Sequence, residues 1–81
     1  MQSVSISFPA EDSTTRVKEF VDIVNQFDCE FDLLSGRYII DAKSIMGIFS
    51  LDLSSGIELA IHSNDQDEIS RIKSALSDFI L

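Results

Sequence analysis

The sequence predicts an open-faced α/β sandwich: a four-stranded antiparallel sheet with three helices on one face, in the order β-α-β-β-α-β-α. Two kinds of periodicity lead there. Val4, Ile6 and Phe8, then Cys29, Phe31 and Leu33, then Ile57, Leu59 and Ile61 each alternate with mostly polar residues, the period-two mark of a half-buried strand. Val17, Phe20, Val21, Val24 and Phe27 recur at helical spacing, as do Ile69, Ile72, Leu76, Phe79 and Ile80. Strands with one apolar face and helices with one apolar stripe satisfy each other by stacking in two layers. At 81 residues, residues 1–81 form a single domain.

Taken in order, the first strand covers Ser3 to Phe8 and stops at Pro9, which has no amide to donate to a ladder. Glu11 to Thr15 is a helix entry rich in capping residues and carboxylates. The helix that follows runs for about three turns, with Arg16, Lys18, Glu19, Asp22 and Gln26 on its wet face. Cys29 to Leu33 is the second strand. Gly36 supplies the conformational freedom of a hairpin turn, and Tyr38 to Asp41 is the returning strand. Ser44 then opens a short, unusually apolar helix containing Ile45, Met46, Ile48, Phe49 and Leu51. Ser54-Ser55-Gly56 is a second turn, and Ile57 to His62 is the fourth strand. The acidic run Asn64 to Glu68 starts the last helix, where carboxylates suit the positive end of the dipole.

Composition excludes several functions. The chain has 14 acidic against 6 basic residues, a formal charge of −8. Such a surface disfavours nucleic acid and anionic membranes. A single cysteine cannot form an internal disulfide, which fits a reducing cytoplasm. No basic n-region with an apolar run opens the chain, and no stretch approaches the about 20 apolar residues of a membrane span. No cofactor or metal is expected: His62 has no Cys or His partner at ligand spacing, and Asp65 to Glu68 lacks the glycine of a calcium loop. His62 alternates to the outer face of its strand, and Cys29 occupies an inward position as a structural thiol.

The segment from Asp41 to Leu51 carries the functional signal. Ser44 is placed to cap its helix, while Lys43 before it has no evident structural duty. So short a helix cannot bury every side, so Ile45, Met46 and Phe49 are expected to leave an apolar docking patch beside Ser44, with Ile48 and Leu51 inward. The KSIMG run at residues 43–47, the strand Tyr38 to Asp41 before it and the SSGIE turn at 54–58 resemble the HPr family, the small phosphocarriers of the bacterial sugar phosphotransferase system. The resemblance implies the same sandwich fold. It also implies that Ser44 is a regulatory phosphorylation site for an HPr-type kinase, and that Lys43, Ile45, Met46 and Phe49 dock protein partners.

The first helix departs from that pattern. The family has a Gly-x-His-x-Arg-Pro motif there, whose histidine carries the phosphoryl group. Aligned on Phe27, this chain has Ser13 at the histidine position, Thr15 at the arginine and Arg16 at the proline. Glu11 and Asp12 are expected to set the protein's own carboxylates against the helix amides. The expected function is therefore non-enzymatic: an HPr-like regulatory or adaptor protein of the cytoplasm, acting through the Ser44 helix and switched by serine phosphorylation in carbon catabolite control. Its expected partners are an HPr-type kinase, a transcriptional regulator or transport-system proteins, with the protein a monomer or weak homodimer. The competing expectations are a phosphocarrier using another nucleophile and a homodimer without a signalling role.

Overall fold

The computed structural model describes residues 2–8, 10–54 and 56–81. The strand break at Pro9 and the Ser55 position of the second turn lie outside them. Strands β1 (Gln2–Ile6), β2 (Glu30–Ser35), β3 (Tyr38–Asp41) and β4 (Ile57–His62) alternate with helices α1 (Ser13–Val24), α2 (Ile45–Phe49) and α3 (Gln66–Ala75). The sheet order is β1-β4-β2-β3, antiparallel throughout. This is the βαββαβα sandwich that the two periodicities predict.

Register puts the alternating apolar residues on one face. Leu59 lies opposite Val4 and Leu33, and Ile61 opposite Gln2 and Phe31. Against that face α1 buries Val17, Phe20, Val21 and Val24, and α3 buries Ile69 and Ile72. Phe8, Phe20 and Phe79 meet edge-on or tilted, with ring centroids 5.3–5.7 Å apart, at the centre of the packing. Val4, the middle residue of β1, is only half-buried. Gly36, at φ +59° and followed by Arg37 at negative φ, gives the β2–β3 hairpin the pattern of a type II′ turn.

Three boundaries depart from the sequence reading. The first strand ends at Ile6, and Phe8 beyond it turns into the core. The second begins at Glu30 and reaches Ser35, leaving Cys29 half-buried before it. The last helix ends at Ala75, although its apolar stripe continues. Phe79 is buried from a following turn, and Ile80 pairs with Ile6 beside β1. The amide of Ser7 donates to the Phe79 carbonyl at 2.8 Å, and that of Leu81 donates to the Ser5 carbonyl at 3.0 Å. The apolar periodicity was satisfied by a chain segment laid along a sheet edge, not by another helical turn.

Candidate functional site

Helix α2 follows the edge strand β3 after a tight corner. The corner is held by the Ser44 amide on the Asp41 carbonyl at 3.0 Å and by the Lys43 amide on the Asp41 carboxylate at 2.9 Å. Ser44 has extended backbone angles and caps the helix, its Oγ accepting from the Gly47 amide at 3.2 Å. The helix is only five residues long, two fewer than the apolar run suggested. Gly47 sits under the cap: a Cβ there would lie 3.2 Å from Ser44 Oγ.

The side chains of α2 divide as the spacing predicted, with one exception. Ile48 and Leu51 are buried, while Met46 is 77% and Phe49 40% exposed. Ile45 is half-buried and packs against the core, so it contributes less to the surface than expected. Tyr38 and Ile39 of β3 are also exposed, and sequence reasoning missed them. The signal was present in Ile39-Ile40: adjacent strand residues point to opposite faces, so both cannot be inward.

Lys43 corrects the reading of a residue without structural duty. Its ammonium donates to the Phe27 carbonyl at 2.8 Å and lies 5.8 Å from the Phe31 ring centroid. The side chain ties the loop after α1 to the start of α2. Its ammonium is turned onto the Phe27 carbonyl and the Phe31 ring.

At α1 a second expectation fails. A short 3-10 turn, Ala10–Asp12, precedes the helix, and Asp12 at the cap position makes no side-chain bond to the helix amides. No carboxylate lies in the first helical turn, so the protein's own charges do not occupy that terminus as proposed. Ser13 is the first helical residue and is half-buried. Arg16 is half-buried, at the margin of the wet face. It pairs with Glu19 at 3.0 Å and lies 4.8 Å above the Phe79 ring.

His62 lies on the outer face of the sheet, with Nε2 2.7 Å from Asp32 Oδ2. The helices cover the other face. Burial and the nearby Glu68 carboxylate raise the Cys29 thiol above its ordinary pKa, which makes it a poorer nucleophile. A shallow cleft beside the C-terminal end of α2 is lined by Ser35, Arg37, Tyr38, Ser50 and Asp52. Among the described residues no buried side-chain polar atom lacks a partner, and no cluster of His, Cys, Asp and Glu could hold a metal ion.

The family model described as the PTS HPr component phosphorylation site matches residues 2–80. Among solved structures, the crystal structure of HPr-C-His from Thermoanaerobacter tengcongensis superposes with a TM-score of 0.72 at 25% identity, covering 94% of this chain and 90% of that one. No curated protein matches the sequence. With the family pattern running through residues 2–80 and the sandwich shared almost end to end with a solved HPr, the chain belongs to the HPr family of the phosphotransferase system, whose members are phosphocarriers and not catalytic enzymes and work by contact with other proteins of that system.

Proposed function

We propose that this chain is a regulatory or adaptor member of the HPr family, working in the bacterial cytoplasm through protein contacts made by α2. The observation that carries the reading is the position of its single histidine. Set on Phe27, the family's motif puts Ser13 at its histidine position, and Ser13 opens α1. His62 is on the sheet face away from the helices, bonded to Asp32. No imidazole is therefore available at the α1 terminus to receive a phosphoryl group.

The α2 segment supports the positive half of the reading. Ser44 is exposed, and its hydroxyl is held at the positive end of the helix with Met46 and Phe49 exposed on the same five-residue element. Phosphorylation there would add nearly two negative charges beside an apolar patch, altering which partners the patch accepts. Lys43 does not stand ready to pair with that phosphate, because its ammonium is committed to Phe27.

One observation favours the competing reading of a phosphocarrier with another nucleophile. The α1 amides are not capped by Asp12, and such amides suit an anion. One pair of assays separates the two. Phosphoenolpyruvate with the system's first kinase should leave no acid-labile phosphate, and an HPr-type kinase with ATP should modify Ser44. Stoichiometric acid-labile labelling would establish the phosphocarrier reading instead. Failure of the HPr-type kinase, under conditions that fully modify a genuine HPr, would leave Ser44 as a helix cap.

A further inference from the structure

The face of the sheet away from the helices has a charge pattern that the α2 reading does not use. All four carboxylates of the strands, Glu30, Asp32, Asp41 and Glu58, alternate with inward residues and so lie on this face. None of the four strands contains a lysine or arginine. Asp32 stands directly opposite Asp41 in the β2–β3 ladder, and like charges so placed are destabilising. His62 relieves part of this, from the β4 side, through its contact with Asp32.

Beside the paired carboxylates is an apolar step. Leu34 and Ile39 are cross-strand neighbours one pair closer to the hairpin end of the face, and Ile39 is 68% exposed. The face therefore reads, along β2 and β3, as an apolar pair followed two residues on by an acidic pair. The strand edge beside it is open: among the described residues no backbone bond reaches β3 from the side away from β2, apart from the Ser44 corner at Asp41. The opposite edge, at β1, is occupied by Phe79–Leu81.

We propose that the outer face of β2 and β3 docks an extended, lysine- or arginine-bearing segment of a partner protein, with an apolar side chain on Leu34 and Ile39 and its cations on Asp32 and Asp41. Charge complementarity selects this occupant. An extended chain repeats its side chains on one face every second residue, matching the spacing from the apolar pair to the acidic pair. A second copy would oppose one acidic face with another, on molecules of formal charge −8, and nucleic acid would meet the same repulsion. This surface adjoins the α2 corner at Asp41, whose Oδ1 also accepts the Lys43 amide at 2.9 Å, and it does not depend on Ser44 being modified.

The test is an amide-shift titration with the capped peptide Lys-Ser-Ile-Ser-Lys, whose isoleucine and lysines share one face of the extended chain, beside an all-lysine pentapeptide and the glutamate analogue Glu-Ser-Ile-Ser-Glu. The first peptide should shift amides of β2, β3 and His62, and the Lys43 amide bonded to Asp41, while Ile45–Phe49 of α2 stay still; the glutamate analogue should shift none of these. Asp32→Asn with Asp41→Asn should weaken binding at low salt by about tenfold, as expected when facing charges are removed. Ile39→Ser, which touches no hydrogen bond of the hairpin, should weaken it by about fivefold. Equal binding of the all-lysine peptide would reduce the surface to undirected charge attraction and overturn the proposal. Shifts centred on α2, or a dimer in sedimentation that Ile39→Ser dissociates, would overturn it as well.

Discussion

Cys29 and Ser44 are the residues whose chemistry depends most on a few neighbours. The Cys29 thiol loses its proton less readily than an ordinary thiol, first because of burial and then because of Glu68. The folded state thus binds more protons than the unfolded state at alkaline pH. Stability is unaffected below the ordinary thiol range and falls as pH rises through the raised folded value. Thermal unfolding should show this decline above about pH 9, and Cys29→Ala should flatten it. The same shift should make Cys29 react with iodoacetamide at pH 8 more slowly than glutathione does. At Ser44, removal of the cap by Ser44→Ala should cost about 1 kcal/mol, read from urea denaturation. Gly47→Ala tests the cap from its other side. Alanine would gain up to about 1 kcal/mol of helix propensity, but its Cβ would crowd Ser44 Oγ at 3.2 Å. The substitution should therefore stabilise a Ser44→Ala background more than it stabilises the parent. The role of Ser44 as a cap was legible from its place before an apolar run. The inward turn of Lys43 was not, because its acceptor is a backbone carbonyl 16 residues away and no side-chain pattern marks it.

Among the elements, α2 depends on support from outside itself. Five residues are too few to be helical alone. The helix is held by its cap, by buried Ile48 and by the corner at Asp41. The Lys43 tether adds a link to the loop that ends α1. Lys43→Met keeps the aliphatic stem and removes the charged hydrogen bond, whose class contributes about 1.5–3 kcal/mol; partial exposure places this one at the lower end. Exchange of the α2 amides should speed up in that variant together with that of the Phe27–Cys29 loop, while β1 and β4 stay protected. A loss confined to α2 would mean that the two segments are not coupled. Strands and helices were legible here because each carries one period over several residues. The ends were less so. The start of α1 reads in sequence as a helix entry rich in capping residues and carboxylates, but a 3-10 turn precedes the helix and Asp12 makes no cap bond, since acceptor residues in sequence do not fix whether their side chains reach the amides. Phe79 and Ile80 continued a helical stripe that the chain leaves at Ala75, because a buried turn and an edge pairing satisfy the same apolar residues.

For the whole molecule, one core carries both layers, and its aromatic centre joins three distant parts of the chain. Phe8 precedes α1, Phe20 is within it, and Phe79 follows α3, yet their rings touch. Phe20 is fully buried. Phe20→Ala should cost about 3–5 kcal/mol, a large share of the stability of so small a domain. A loss below about 1 kcal/mol in denaturant unfolding would contradict this packing. The fold class, and nearly all of this core, followed from periodicity because burial is what the periods record. The candidate site was less legible, since surface contacts such as His62 with Asp32 arise only once the strands are in register.

That register also sets an order of assembly. The β2–β3 hairpin closes over a two-residue turn and can form as soon as Asp41 has been made. β1 pairs with β4, whose residues begin at Ile57, so the first strand to be synthesised must wait for more than half the chain. Its far edge is completed only by Phe79–Leu81. During synthesis, then, Val4, Ile6 and Phe8 remain without the surface that finally hides them. The interleaved serines Ser3, Ser5 and Ser7 keep that waiting segment wettable, a service to the nascent chain that is distinct from anything these hydroxyls do in the finished sheet.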